Sequence, residues 1–309
     1  MSAQPASAGA PYRSHPVLAA YGGGWNGRLE IALARLGDRT VAARLAHQGP
    51  LRVQKLLWPE GSALAHAILL HPPAGLAGGD SLTLTIALEP GSAGLFTTPG
   101  AGRWYRGDAR ASQAVSIRLD AGAELEWLPQ ETVLHDGVIG AQSLRVDVAT
   151  DATAVGIDVL VLGRRASGER LARADFDSRL ELVRGGRRLL TEHARVDARS
   201  FGAAALGEAH VSGLLWALSP QPMDVGLAER CEAAIDAMLG VDDPHAAASR
   251  GWGIDATIGG ASLVDPHLLL VRVVGRSPQT VRAALVAVWA VLRPPLFRRD
   301  AVLPRIWHT

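Results

Sequence analysis

Ser81, Asp242 and His245 carry the side chains that a serine hydrolase needs. Ser81 stands in the string Gly79-Asp80-Ser81-Leu82, and Asp242 precedes His245 by three residues. A serine hydroxyl becomes a nucleophile when a histidine accepts its proton and a carboxylate orients that histidine. In this arrangement Ser81 would be the nucleophile, His245 the base and Asp242 the orienting carboxylate.

The residues that follow Ser81 do not favour that chemistry. In GDSL-type esterases, which use this four-residue string, the serine follows an N-terminal strand and begins a helix of an α/β sheet. Here Leu82, Leu84, Ile86 and Leu88 alternate with small or polar residues, which is the period of a half-buried strand. A GDSL-type esterase therefore stays the alternative function, to be separated by ester hydrolysis that is lost on Ser81→Ala.

The counts of lysine, cysteine and histidine exclude several other functions. Lys55 is the only lysine, so the chain has no P-loop for a nucleotide. Cys231 is the only cysteine, which excludes an intramolecular disulfide and a cysteine metal cluster. The ten histidines include no His-x-His and no pair four residues apart, so a preformed high-affinity metal site is not expected.

Charge and hydrophobicity indicate an ordinary globular protein. Of the 309 residues 48% are hydrophobic and 20% charged, with a formal net charge of +1. The arginines form no run or stripe, which argues against nucleic acid. Residues 1–25 have the composition of a flexible tail rather than a signal peptide, and the apolar run from Val281 to Leu292 is short for a membrane span. The expected location is the cytoplasm, with no membrane partner.

Short alternating segments recur along the chain and predict many strands. Three of them are similar to one another: Ile86–Ser92, Ile117–Ala123 and Val146–Ala152, at offsets of 31 and 29 residues. Repeats that contain only strands at this period indicate stacked layers, each burying its apolar face against the next. Chance similarity between hairpins is the alternative explanation.

Two helices are predicted in the C-terminal third, near residues 225–240 and 278–293. Asp224 is a suitable N-cap for the first and Gly240 a stop, while Ser277-Pro278 begins the second and Pro294 ends it. Each helix has one apolar face, which serves either core packing or docking of a partner. Val288 and Leu292 lie on that face of the second helix.

Six segments, taken in order, resemble the urease accessory protein family called UreD, or UreH in some species. The resemblance extends from about residue 28 to the C-terminus. Its segments begin with Arg52-Val53-Gln54-Lys55 and continue with His71–Asp80, Thr97–Arg106, Trp127–Thr132, Leu162–Glu169 and Pro304–Trp307. Ser167 departs from the family pattern, which more often has a basic residue there, so this position supplies no positive charge.

The resemblance implies a fold and a function. The fold would be mainly β, a layered, β-helix-like arrangement of many short strands in one domain of residues 26–309, with two α-helices in the C-terminal third. The function would be that of a non-enzymatic scaffold for nickel insertion into urease. Its partners would be the urease apoenzyme and UreF-like and UreG-like accessory proteins, of which the last is the GTPase. Nickel would be transient, and no cofactor would be tightly bound.

The matched segments also supply candidate site residues. Carboxylates offset the cost of desolvating a divalent cation, so residues that could line a path for nickel are Asp80, Glu131, Glu169 and, as an imidazole ligand, His71. Each carboxylate also has a structural alternative. Asp80 could stabilise its turn by hydrogen bonding, and Glu169 could form a salt bridge to Arg164 or Arg165. Residues that could bind a partner are Val288, Leu292, Arg305 and Trp307.

Overall fold

Strands dominate the part of the chain that the computed structural model describes, residues 24–201, 206–240 and 257–308. Of the predicted tail, residues 1–25, only Gly24 and Trp25 fall within these ranges, and Asp242 and His245 lie outside them. The described strands are β1 Asn26–Leu36, β2 Arg39–Gln48, β3 Arg52–Leu57, β4 Leu64–Leu70, β5 Gly75–Leu76, β6 Ser81–Leu88, β7 Ala93–Thr97, β8 Gly102–Trp104, β9 Ala111–Leu119, β10 Glu124–Trp127, β11 Thr132–Leu134, β12 Val138–Val148, β13 Thr153–Leu162, β14 Ala174–Arg184, β15 Arg187–Val196, β16 Val211–Leu218, β17 Ile258–Asp265 and β18 Leu268–Gly275. The helices are α1, Val225–Leu239, and α2, Pro278–Phe297.

These strands form two large sheets and a narrow third side. The first sheet has the order β15-β14-β12-β9-β6-β1-β2, and the second has the order β17-β18-β16-β13-β10-β7-β4-β3. The short strands β5, β8 and β11 pair with one another beside the second sheet, and β11 also pairs with the end of β13. The predicted mainly β, β-helix-like fold with two late helices is confirmed.

The middle of the chain is a parallel coil. From β6 the chain enters the second sheet as β7, crosses the third side as β8, and returns to the first sheet as β9, which lies parallel to β6. The next turn runs through β10 and β11 to β12, again in parallel pairing. Each turn therefore has three corners. The first corner joins the two sheets, the second leads to the third side, and the third leads back to the first sheet.

The sequence repeat corresponds to one turn of this coil. Ile86 pairs with Ile117, and Ile117 pairs with Val146, so equivalent residues of the three copies lie side by side. The first corners also stack: Gly91 N–H donates to the carbonyl of Ala121 at 2.9 Å. Gly91 has a φ of 68°, a left-handed conformation that glycine adopts without strain. Stacked layers, and not chance hairpin similarity, explain the repeat.

Two apolar cores hold the layers together. One lies between the sheets and contains the alternating residues of β1, β6, β9, β12 and β14. The other lies between the outer face of the second sheet and the two helices. In this second core Val281, Leu285, Val288, Trp289 and Leu292 are fully buried, so the apolar stripe of α2 packs against the protein's own sheet.

Helix α2 is longer than predicted. The predicted stop at Pro294 is wrong, because the helix passes through Pro294 and Pro295 and ends at Phe297. Proline removes backbone donors, but Phe297 is buried and Arg298, with a left-handed φ of 56°, caps the end by donating its N–H to the carbonyl of Pro294 at 2.9 Å. By length and a mean hydropathy of 1.4 this helix also meets the criteria for a membrane span, but its packing is that of a core helix.

A buried ion network fastens the end of α2 to the second sheet. Arg293 has no exposed surface; its guanidinium donates to Glu126 at 3.0 Å and to Glu60 at 2.6 Å. Trp289 also donates to Glu126, at 2.8 Å, and His66 lies 2.9 Å from Glu60. The pKa of Glu126 is raised by burial, against the opposing charge of Arg293.

Candidate functional site

A cavity of about 280 Å³ lies between the two sheets of the coil. Most of its wall is apolar, including Leu29, Leu84, Trp104, Trp127 and Trp216. It extends to the third side, where the lining residues Ala74, Gly100 and Gly102 are exposed. The cavity therefore has a mouth at the molecular surface, between the loop before β5 and the loop before β8.

A row of polar side chains crosses the first-sheet wall of the cavity. Gln113 of β9 pairs with Gln142 of β12, and Gln142 pairs with Ser178 of β14. All three line the cavity, and the amide of Gln142 donates to the hydroxyl of Ser178 at 3.0 Å. The inward positions on either side of this row are apolar, namely Ala111 and Val115 on β9, Gly140 and Leu144 on β12, and Phe176 and Leu180 on β14. The row is therefore a polar strip on an otherwise apolar face of the first sheet.

Asp158 of β13 contributes a carboxylate to the same cavity from the second sheet. Within the described residues no group donates a hydrogen bond to it or forms an ion pair with it. Burial, with a smaller contribution from the negative charge of Glu192, raises the pKa of Asp158 from 3.8 to about 6. A half-buried carboxylate without a partner is costly, and in a cavity it can bind a cation or accept a hydrogen bond.

Two further features lie near Asp158. The indole N–H of Trp216 is buried and has no hydrogen-bond partner among the described residues. Arg272 of β18 donates to both carboxylate oxygens of Glu192, at 2.5 and 2.7 Å, and so joins the second sheet to β15, the edge strand of the first sheet. The cavity thus offers a carboxylate, which binds a cation, and an unsatisfied indole N–H, which can donate to a water molecule that the cation keeps.

His71 and Glu131, two of the four candidates for a nickel path, line the cavity. Burial lowers the pKa of His71, partly opposed by the charge of Asp80, which keeps the imidazole in the neutral form that binds metals. Glu131 lies near the second corner of its coil turn, 3.8 Å from the guanidinium Nε of Arg282. The structure therefore brings both residues to the same cavity, while their role stays a prediction.

Asp80 and Glu169, the other two candidates, do not line the cavity. The two oxygens of Asp80 accept the backbone N–H groups of Trp25 and Ala77, at 2.8 and 2.7 Å. Glu169 accepts the backbone N–H of Asp136 at 3.1 Å and binds Arg164 at 2.7 Å, a hydrogen bond that lowers its pKa. The expectation that both line one polar interior is wrong, because local backbone and arginine donors already occupy their oxygens.

The four candidate partner-binding residues separate into two groups. Val288 and Leu292 are fully buried inside the protein, so assigning them to a partner is corrected: their face of α2 is taken by the second sheet. Trp307 is half-buried; it donates to the hydroxyl of Thr97 at 2.8 Å and stacks on Arg282. Arg305 is exposed and stays available.

The hydrolase alternative lacks its structural context. Ser81 is the first residue of strand β6, and its N–H donates to the carbonyl of Trp25 at 2.9 Å. A nucleophile of the GDSL type needs a strand before it and a helix after it, and Ser81 has a strand after it. Across residues 24–201, 206–240 and 257–308, no three His, Cys, Asp or Glu side chains come together as a metal cluster.

Sequence analysis missed Asp158, Gln113 and Gln142. A signal was present for Asp158, since it is the only charged residue in the strand Thr153–Leu162 and stands at an inward position of it. The glutamines gave no such signal, because polar residues also occur on the outward face of the same strands.

Comparison with known proteins supports the resemblance. A family model described as UreD urease accessory protein matches residues 26–308. The chain is 40% identical over 291 residues to the urease accessory protein UreD of Dechloromonas aromatica, covering 92% of this chain and 95% of the relative. The UreD of Azoarcus sp. is 40% identical over 287 residues, with 93% and 95% covered, and that of Delftia acidovorans is 38% identical over 324 residues, with 98% and 100% covered.

The residues that the family model matches include both sheets of the coil, the cavity between them and both helices. The relatives named above are 38% to 40% identical to this chain, and proteins this similar share a fold. This chain belongs to the UreD urease accessory protein family.

Proposed function

We propose that this protein supports nickel insertion into urease by holding Ni²⁺ transiently in the cavity between its sheets. The observation that carries the proposal is the unpaired carboxylate of Asp158, which is half-buried and lines a cavity that opens to the surface. A polar ligand of this kind is expensive to bury. Its presence in an apolar core is understandable if it binds a cation that passes through.

The ligands suit transport rather than storage. Nickel binds imidazole and carboxylate groups, and the cavity offers Asp158 and, nearer the mouth, His71 and Glu131. A single carboxylate with amide and hydroxyl neighbours binds more weakly than a preformed site with three or four ligands. Weak binding lets the ion leave again, which a delivery step requires.

The protein would act as a scaffold without an enzymatic step of its own. With Lys55 as the only lysine the chain has no P-loop, so any nucleotide hydrolysis in the pathway belongs to a UreG-like partner. A UreF-like protein and the urease apoenzyme complete the proposed cytoplasmic complex.

A surface for the UreF-like partner lies after α2. Val302 and Leu303 are 48% and 45% exposed, next to the exposed Arg305. Trp307 anchors the segment, because it binds Thr97, the residue before Thr98 of the cavity wall. This exposed segment takes the docking role that the buried face of α2 cannot have.

The test is urease activation at limiting nickel in a host whose own copy of this gene is deleted. Complementation with Asp158→Asn, which keeps the shape and removes the charge, should restore less urease activity and less nickel per urease than the wild type. Asp151→Asn makes the same charge change at an exposed position and should complement fully.

Full activation by Asp158→Asn at limiting nickel, at equal protein level, would refute the proposed path through the cavity. Rescue of the variant by excess nickel, with urease subunits present throughout, would support it, because a weakened ligand is compensated by a higher ion concentration.

A further inference from the structure

Six arginines gather at the third corner of the coil. They come from β8 and the residues that follow it, and from the long loop after β13, which lie one turn of the coil on either side of Asp136. Since each turn places its third corner beside that of the previous one, arginines that are far apart in the sequence share one surface. We call this surface the arginine patch: Arg103, Arg106, Arg164, Arg165, Arg170 and Arg173.

Asp136, at the third corner of the middle turn, connects two of these arginines. Its Oδ1 accepts the backbone N–H groups of Ala172 and Arg173, at 2.9 and 2.7 Å. Its Oδ2 lies 3.7 Å from the guanidinium of Arg106 and 3.6 Å from that of Arg173. These contacts hold the loop after β13 against the residues that follow β8.

His135 lies close to both Arg103 and Arg164. Its ring contacts Tyr105 edge-on, with centroids 4.9 Å apart. Burial lowers the pKa of His135, and the charges of Arg164 and Arg103 add to that effect. Arg165 and Arg170 are likewise neighbours, since after burial the charge of Arg170 contributes to a lowered pKa of Arg165.

Positive charge is in excess on this surface. On the segments that carry the patch, residues 103–108, 136 and 164–173, six arginines stand against Asp108, Asp136 and Glu169, a surplus of three positive charges, whereas the whole chain has a net charge of +1. Arg276 and Glu208, which both act on Arg165, have opposite charges and leave this surplus unchanged. Arg103 and Arg170 are exposed and form no ion pair or side-chain hydrogen bond within the described residues. A surplus of this size favours a partner that brings carboxylates.

The patch adjoins the mouth of the cavity. Arg103 directly follows Gly102, an exposed lining residue, and pairs across the third side with Gly75 of β5, another lining residue. A positive rim repels a free divalent cation. An acidic partner that covers the rim would remove this repulsion and align its own surface with the cavity.

We propose that the arginine patch docks an acidic surface of the urease apoprotein over the mouth of the cavity. This inference rests on the proposed function, which supplies urease as the partner, and it adds the surface and the chemistry of the contact. Arginine is enriched in protein interfaces, where its planar guanidinium binds carboxylates with two hydrogen bonds.

A protein partner fits the patch better than nucleic acid does. Asp136 and Glu169 lie among the arginines, and they would face the uniform negative charge of a phosphate backbone. A protein surface can place carboxylates opposite Arg103 and Arg170 and neutral or basic groups opposite these two acids. Charge patterns that match in this way give specificity as well as attraction.

The test compares two double variants of the full-length chain for binding to purified urease apoprotein from the same host. Arg103→Glu with Arg170→Glu reverses the two unpaired charges of the patch. Arg28→Glu with Arg52→Glu makes the same charge change at exposed arginines on β1 and β3, which form no ion pair with any residue that the structure describes. Dissociation constants are measured at low and high NaCl, with circular dichroism to verify folding.

The patch variant should bind at least about tenfold more weakly at low salt and lose the salt dependence of the wild type, while the control stays within about twofold. Equal binding by both variants, or no binding of the apoprotein by the wild type, would overturn the inference. So would patch-dependent binding of a 30-base-pair DNA duplex in place of the apoprotein. Normal patch-dependent docking together with full activation by Asp158→Asn would refute the nickel path alone.

Discussion

At the scale of single residues, the ionised carboxylate of Asp158 lowers the free energy of unfolding of the protein. Its pKa in the folded protein is about 6, compared with 3.8 for an ordinary aspartate. A carboxyl group with a raised folded pKa contributes its full stability below the unfolded pKa, and this contribution is lost as the pH rises through the folded pKa. At neutral pH the ionised Asp158 therefore destabilises the cavity in which it lies.

Asp158→Asn should accordingly stabilise the protein while it impairs nickel delivery. We expect the free energy of unfolding at pH 7.5 to rise by about 1 to 3 kcal/mol, since each unit of pKa shift corresponds to about 1.4 kcal/mol. At pH 3.5, below both pKa values, the carboxyl is mostly protonated in both states, so most of the difference between the two proteins should be gone. Urea denaturation at both pH values measures this, and Asp151→Asn is the control. A loss of stability at pH 7.5 would show that Asp158 is structural.

Asp80 illustrates the opposite case, a carboxylate whose oxygens are already bound. Asp80→Ala removes the acceptors for the backbone N–H groups of Trp25 and Ala77, which should cost about 1 to 3 kcal/mol. Urease activation should then fall only in step with the melting temperature. If activation is lost while the melting temperature is unchanged, Asp80 has a direct part in nickel delivery after all.

At the scale of elements, the coil and the helices are joined through one charged network. Burial by itself would raise the pKa of Glu60, but hydrogen bonds from His66 and Arg293 outweigh it and lower the pKa to about 2. Stability from this group is present above pH 4.5 and is lost as the pH falls towards 2. Arg293 also donates to the backbone carbonyl of Asp300, so the same residue fixes the segment that leads to the C-terminus.

Arg293→Met should therefore destabilise the protein strongly. The change leaves Glu60 and Glu126 buried without their cation, which typically costs about 3 to 5 kcal/mol. Arg118→Met is the matched control, because Arg118 forms an exposed ion pair with Asp120 that is worth about 1 kcal/mol or less. Chemical denaturation compares the two. A loss below about 1 kcal/mol for Arg293→Met would mean that the carboxylates find other partners or take up protons.

At the scale of the whole molecule, the surfaces proposed for partners lie outside the two cores. The apolar face of α2 is buried against the second sheet. The surfaces that remain for docking are the exposed segment that follows α2 and the arginine patch. Both surfaces are near cavity residues: Trp307 binds the residue before Thr98, and Arg103 follows Gly102. A complex assembled on both would enclose the mouth of the cavity.

Val302→Asp with Leu303→Asp should weaken co-purification with a UreF-like protein without unfolding the chain, since both side chains are about half exposed. Val264→Asp, at an equally exposed position on β17, is the control and should leave the complex intact. Val288→Asp should instead unfold the protein, because it places a charge in the second core. An undiminished complex with the double variant would place the interface elsewhere.

Local patterns in the sequence determined the elements and their stacking. Alternation at period two predicted the strands, Asp224 and Ser277 as N-caps predicted where the helices begin, and the offsets of 31 and 29 residues predicted the turns of the coil. These features depend on near neighbours or on a regular repeat, so one sequence is enough to reveal them. The extension of α2 beyond Pro294 was missed, because it depends on the burial of Phe297.

Tertiary structure alone decided which distant residues meet. Arg293 lies 167 residues after Glu126, and nothing in either local sequence indicates the pairing. The arginines looked scattered along the chain, yet the coil returns to the same corner about every 30 residues and so collects them on one surface. Asp158 became a site only because the opposite sheet leaves a cavity beside it. Such contacts depend on how two sheets face each other, which no local period encodes.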